Sequence, residues 1–169
     1  MTIGYRRAGT EDAEAIDHVF RTSFCDTFAH LYRPEDLEAF LHKFTLDAWM
    51  AELGDESYDF QVAEAKGEII GFVKLGPSEL PVRTTGPAVE LRQLYFLHEW
   101  RGLGAAQALM DWALSEAKAR GGQELYLTVY TENWRARRFY EKYGFVEVGP
   151  CRFMVGEQAD EDIIMRASL

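Results

Sequence analysis

The sequence predicts an α/β fold of the α+β kind, in which helices come first and a sheet is built from the middle and end of the chain. Apolar residues recur at helical spacing between Ala15 and Phe44, the period drops to two at Phe60, and from Val89 onward strand patterns alternate with helical ones. With 169 residues, 47% apolar and 14% aromatic, the chain can bury a real core as one domain, residues 1–169. It is too apolar to remain disordered.

Each element has its own signal. Residues 3–6 read as a strand, and Thr10-Glu11-Asp12-Ala13 as a helix start with a hydroxyl cap and acidic first-turn residues. Ile16, Val19, Phe20 and Phe24 share the inward face of that helix, which frays near Asp26. Pro34 opens a second helix whose apolar stripe is Leu37, Phe40, Leu41 and Phe44, and residues 46–53 add a further turn or short helix. Residues 60–65 and 69–75 form a hairpin about Lys66-Gly67-Glu68. Three prolines and two glycines make residues 76–87 a loop. A strand at 89–97 feeds an alanine-rich helix from 104 to 120, which Gly121-Gly122 ends. A strand at 125–129, a short helix at 134–143 closed by Gly144, and strands at 145–148 and 163–166 complete the chain.

Eighteen lysines and arginines against 28 aspartates and glutamates leave a formal charge of −10. That field argues against nucleic acid or an anionic membrane as partner and suits a cationic or amine substrate. No apolar run approaches a membrane span, and Cys25 and Cys151 form no CxxC pair, so the expected compartment is the cytoplasm. His18, His30 and His42 show no metal-ligand spacing, and no metal site is expected.

The sharpest local signal lies at the end of the fourth strand, where Gly102-Leu103-Gly104-Ala105 delivers two glycines to the start of a long helix. Glycines let the backbone approach a phosphate, and a helix N-terminus offers unpaired amides and a favourable dipole. Arg101 adds a cation beside them. The lysine and hydroxyl residue of a Walker loop are absent, and Gln107 breaks a dinucleotide GxGxxG pattern. Alone, this motif also fits a plain structural turn. A second crossover follows at Asn133-Trp134-Arg135-Ala136-Arg137-Arg138-Phe139-Tyr140, ahead of Gly144-Phe145.

Together these segments resemble the GCN5-related N-acetyltransferase (GNAT) superfamily. Its cofactor loop has glutamine or arginine, two free positions, glycine, one free position, then glycine or alanine. Set on Glu99-Trp100-Arg101-Gly102-Leu103-Gly104, both glycines match and the first position departs. Asn133, Ala136, Phe139-Tyr140 and Gly144-Phe145 match the second recurrent segment in order and spacing. The resemblance covers about residues 89–148. It implies an acyl-CoA N-acyltransferase fold with a central mixed, mostly antiparallel sheet flanked by helices and strands splayed at the cofactor site.

It also implies acetyl-CoA as cosubstrate and direct attack by an amine within a ternary complex. Phe96 and His98 would offer backbone to the acetyl-pantetheine arm, residues Arg101, Gly102, Leu103, Gly104 and Ala105 would cradle the pyrophosphate, and Asn133 would meet the pantetheine. Tyr140 would act as general acid toward the thioester sulfur, while Arg137 would receive nucleotide phosphate. For proton acceptance, Glu90 competes with a water relay and with simple pairing to Arg92. Phe24, Asp26, Phe28 and Tyr32 would give the acceptor an apolar wall and an anionic rim. A small amine or polyamine is the favoured acceptor, a peptide N-terminus the alternative, and a noncatalytic acyl-CoA sensor the rival class. The terminal strands or the long helix would serve a homodimer.

Overall fold

Period-two segments pair edge to edge into one seven-stranded sheet in the computed structural model, which describes residues 2–169. The strands are β1 (Gly4–Arg7), β2 (Asp59–Ala65), β3 (Glu68–Pro77), β4 (Ala88–Phe96), β5 (Glu124–Tyr130), β6 (Val146–Val155) and β7 (Gln158–Ser168). Their spatial order is β1-β2-β3-β4-β5-β7-β6. Every neighbouring pair is antiparallel except β4 and β5, which the long crossover helix makes parallel. This is the mixed, mostly antiparallel sheet that the sequence resemblance implies.

The helices α1 (Ala13–Phe28), α2 (Pro34–Leu41), α3 (Leu46–Leu53), α4 (Ala105–Ala119) and α5 (Trp134–Glu141) divide between the two faces. On one face α4 lies over β2, β3 and β4, where its Ala105, Leu109, Met110, Ala113 and Ala117 share a core with Ala63, Ala65, Val73, Leu75 and Leu91, and that core continues through Leu125, Leu127, Ile163 and Met165. Small alanines let the helix lie close to the sheet. On the other face Ile16, Val19, Phe20 and Phe24 of α1 join Phe40, Trp49, Phe60 and Phe72 in an aromatic core. Burying each such ring contributes about 1.5–3 kcal/mol, and the polar edge of Trp49 is satisfied by Asp17 Oδ1 at 2.8 Å.

The departures from the sequence reading have local causes. α1 runs on to Phe28 instead of fraying near Asp26, because Phe28 packs on Phe24 with ring centroids 5.1 Å apart. β3 takes in Gly76 and Pro77, so the loop shortens to residues 78–87, and Glu124 Oε1 ties that loop down through the Thr85 amide at 2.8 Å. The largest change is at the end of the chain. The short strands expected at 145–148 and 163–166 are parts of one long hairpin, β6–β7, about Gly156. Gly149-Pro150 reads as a turn, yet β6 is a sheet edge, where proline need not donate to a ladder, and a bulge after Glu147 absorbs the irregularity.

Candidate active site

β4 and β5 stay paired over only three residue pairs, from Ala88↔Glu124 to Glu90↔Tyr126, although β4 continues to Phe96 and β5 to Tyr130. Past Glu90 the strands diverge, and a cavity of about 170 Å³ opens between them. A bulge helps to set it. Leu75 opposes Leu91 and Lys74 opposes Gln93, which leaves Arg92 as the extra residue of β4. Glu90 and Arg92 face α1, whereas beyond the bulge Leu94 and Phe96 pack on the α4 side and Tyr95 on the α1 side. Uninterrupted alternation would have put Leu94 and Phe96 with Glu90.

Backbone groups are exposed where the strands part. Leu97 donates its N–H to Ile70 of β3 at 2.9 Å, so strand alternation aims the N–H and C=O of Leu94 and Phe96 at the edge that β5 has left. The Phe96 carbonyl accepts the Ser23 hydroxyl at 2.6 Å. The Phe96 ring is core, lying over Gly71, where a methyl group would run into it. His98 is exposed, and Arg101 reaches toward its Nδ1 at 3.4 Å.

At the glycine loop, Gly102 and Gly104 hold φ of 79° and 84°, a region that L side chains avoid. Gly104 is the N-cap of α4, and no side chain caps that helix, so its first amides face outward. Leu103 is exposed, and the Ala105 methyl is buried in the core, which leaves its amide to the loop. Arg101 lies beside Thr27 Oγ1 at 3.2 Å, and burial, then the neighbouring Arg135, lower its pKa. Arg135 is thus near enough for its charge to act on Arg101. The loop pattern also fits one frame later: Arg101-Gly102-Leu103-Gly104-Ala105-Ala106 starts on arginine and ends on alanine, with no departure. That frame puts the second glycine at the helix cap.

Across the gap, Asn133 caps α5 by accepting from the Ala136 amide at 3.3 Å, and it lines the cavity. Tyr140 lines it too, with its ring edge-on to Phe145 at 5.8 Å. Burial pushes its pKa up to about 12, so the phenol keeps its proton. Among the described residues its hydroxyl has no side-chain partner. Arg137 is placed differently from the expectation. Its guanidinium stacks over Trp134 at 4.3 Å, donates to the Thr131 carbonyl at 2.8 Å and pairs with Glu147 at 3.5 Å, so it braces α5 against β6.

On the α1 side, Phe24, Phe28 and Tyr32 all line the cavity, with Phe24 stacked on Tyr32 at 6.1 Å. Asp26 does not join them: it is exposed, and its charge acts on Arg101 instead. The anionic groups are Asp160 and Asp162 of β7, which the sequence reading missed because it started that strand at Ile163. The run Asp160-Glu161-Asp162-Ile163-Ile164-Met165 sets three acids before three apolar residues, so no alternation in the sequence marks the pair, and only the register of β7 shows which face they take. The Tyr32 hydroxyl donates to Asp160. Burial, reinforced by Asp160, pushes the Asp162 pKa up to about 7.

Glu90 lies in a second cavity of about 440 Å³, accepting from the Glu79 amide at 3.2 Å and pairing with Arg92 at 3.7 Å. Burial raises its pKa. Buried Lys74 shares this space, paired with Glu52 at 2.9 Å and set over the rings of Trp49 and Tyr58. The two cavities share Arg92, Gln93, Tyr95, Thr128, Phe153 and Asp162 in their linings. They are therefore neighbours, bounded in common by these side chains on the α1 side of the sheet.

These features have known counterparts. The sequence profile of the acetyltransferase (GNAT) family matches residues 19–145. An N-acetyltransferase of Mycobacterium tuberculosis (strain ATCC 25618 / H37Rv), itself uncharacterised, is 32% identical over 155 residues, covering 91% of this chain and 96% of its own. The spermidine N(1)-acetyltransferase of Thermoplasma acidophilum is 27% identical over 150 residues, 86% of this chain and 89% of that one. The crystal structure of the PaiA N-acetyltransferase from Thermoplasma acidophilum in complex with coenzyme A superposes over 100% of both chains, with a TM-score of 0.81 and 25% identity. The chain belongs to the GNAT family of acetyltransferases. It is an acetyl-CoA-dependent N-acetyltransferase.

The site fits its cosubstrate. Open positive-φ glycines, uncapped α4 amides and the adjoining Arg101 suit a pyrophosphate, and the free edge of β4 suits an amide-bearing arm.

Proposed function

We propose that this enzyme acetylates a small primary amine, with a polyamine favoured, by direct attack of the amine on the thioester. The observation that carries this reading is the aromatic chamber on the α1 side of the gap, where Phe24, Phe28 and Tyr32 stand over the carboxylates of Asp160 and Asp162. A cation held there meets ring faces and negative charge together. The spermidine acetyltransferase of Thermoplasma acidophilum, similar over most of the chain, supports the same acceptor class.

In this reading the first amides of α4 and Gly102 hold the pyrophosphate of the cosubstrate, and Asn133 meets its pantetheine. Leu94 through its free N–H and C=O, and Phe96 through its N–H, align the acetyl-bearing arm. A backbone N–H of β4 at the splay polarises the thioester oxygen, and Tyr140 donates its proton to the departing sulfur. The whole chain, residues 1–169, works as one domain in the cytoplasm. In support, the sheet draws strands from Gly4 through Ser168, and no helix among the described residues is long and apolar enough to cross a membrane.

A thiol-release screen with acetyl-CoA tests the reading, run against spermidine, simple amines, amino acids and short unblocked peptides with mass detection of products. Acetylated spermidine or a simple amine is expected. Product from peptides alone would move the acceptor to a protein N-terminus, and coenzyme A binding without any product would make the domain a sensor.

A further inference from the structure

The acceptor's ammonium carries a proton that must leave before nitrogen can attack, and three groups near the gap are suited by chemistry to take it: Glu90, Asp160 and Asp162. Only two of them line the cavity that contains Tyr140; Glu90 lies outside it, already engaged by Arg92 and the Glu79 amide. Asp160 is held by the Tyr32 hydroxyl and by the Gln158 side-chain amide at 3.0 Å. Asp162 is buried, yet among the described residues no side chain donates to it and no cation pairs with it. It lines both cavities.

Its placement follows from strand alternation. Ile163 and Met165 turn to the α4 side, so Asp160 and Asp162 turn to the α1 side, opposite the face on which Tyr140 packs. Tyr95 lies between, with a hydroxyl that feels both Tyr140 and Asp162. Acid and base thus flank the gap from opposite faces of the sheet.

We propose that Asp162 is the catalytic base: it receives the ammonium of the acceptor and removes one of its protons. The neutral amine then forms the new C–N bond with its lone pair, and the C–S bond breaks with its electron pair on sulfur. Tyr140 protonates that sulfur, the second proton lost by nitrogen refills Tyr140, and Asp162 returns its proton to solvent. The sum is one ammonium and one thioester giving one amide, one thiol and one proton. The inference rests on the reading that the acceptor is an amine.

Asp162 would work near neutrality, since burial and Asp160 bring its pKa to about 7. Other titratable groups face it from each side: Tyr32 ahead of α2, Tyr95 and Arg92 on β4, and Tyr130 paired with it on β5. Cys151 opposes it on β6, with Arg152 next in the larger cavity and Glu90 and Lys74 farther along.

The test uses the full chain with acetyl-CoA and spermidine, reading kcat/KM from pH 5.5 to 8.5 and coenzyme A affinity by calorimetry. For wild type the rate should fall on the acid side of about pH 7. Asp162→Asn should lower kcat/KM by about 100-fold or more and remove that acid limb, leaving coenzyme A affinity within about threefold. Asp160→Asn should keep the limb but move it to lower pH, because a neighbouring charge is gone. Glu90→Gln should leave the limb in place. An Asp162→Asn enzyme within threefold of wild type or still showing the limb, or loss of the limb in Glu90→Gln, would overturn the assignment. If wild type acetylates no amine, the proposed acceptor fails, and 13C-carboxyl NMR of the coenzyme A complex decides Asp162 separately. A resonance titrating near pH 7 and missing from Asp162→Asn is expected; titration below about pH 5, in the ordinary aspartate range, would overturn the base role.

Discussion

Tyr140, like any tyrosine, keeps its proton at neutral pH, and burial beside Phe139 and Phe145, with no side chain among the described residues donating to its oxygen, raises its pKa further, to about 12. A phenol in that state is an acid without a competing partner, free to serve a sulfur that carries negative charge only as its bond breaks. Tyr140→Phe should therefore lower kcat by about 100-fold while coenzyme A affinity changes little, a split that steady-state kinetics and calorimetry would resolve. The phenol was legible in the sequence, since Asn133, Ala136, Phe139-Tyr140 and Gly144-Phe145 keep a fixed spacing on one short helix. Arg137 shows the limit of such spacing. It lies one turn from Asn133, yet its direction depends on Trp134 and Glu147, one a ring stack and the other a contact with a different strand.

At the level of elements, the loop that precedes α4 works through its backbone. Gly102 and Gly104 occupy a conformation that costs an L residue about 1–2 kcal/mol, and both face open space, not neighbouring atoms. Gly102→Val should thus leave the fold intact, by circular dichroism, and weaken coenzyme A binding about tenfold or more, by calorimetry. Unchanged affinity would remove the loop from the binding site. Strands and helices with clean periodicity, such as α4 and the β2–β3 hairpin, were readable because their patterns repeat over several turns or pairs. β6 and β7 were not, since an edge strand tolerates Gly149-Pro150 and shows water one face. That misjudged boundary concealed Asp160 and Asp162, whose meaning depends on which face of β7 they occupy. The Arg92 bulge was equally hidden: only the register against β3 reveals it.

For the molecule as a whole, Asp162 has an energetic effect opposite to its chemical value. Its folded pKa, about 7, lies above the ordinary aspartate value near 4. Below pH 4 both folded and unfolded chains hold the proton, and the group costs nothing. As pH rises from about 4 to 7, the unfolded chain releases the proton that the folded one retains, so stability falls. Above 7 the penalty is complete. Asp162→Asn should accordingly raise the melting temperature more at pH 8 than at pH 5, as differential scanning calorimetry would measure. A gain independent of pH would contradict the raised pKa. The gain in stability and the loss of turnover would come from one substitution.

The three-pair seam between β4 and β5 has a mechanical consequence. Strands β1 to β4 form one panel and β5, β7 and β6 another, each joined internally by long antiparallel ladders. Between them the ladder is short, and α4 lies on the first panel, over β2, β3 and β4. A joint of this kind is the first place where amides should exchange with deuterium and the last to become rigid. A molecule lodged in the gap acts as its keystone, and at one hundred times its dissociation constant it adds about 2.7 kcal/mol to the folded state. The protein is thus weakest where its reactants meet, and it becomes whole when they do.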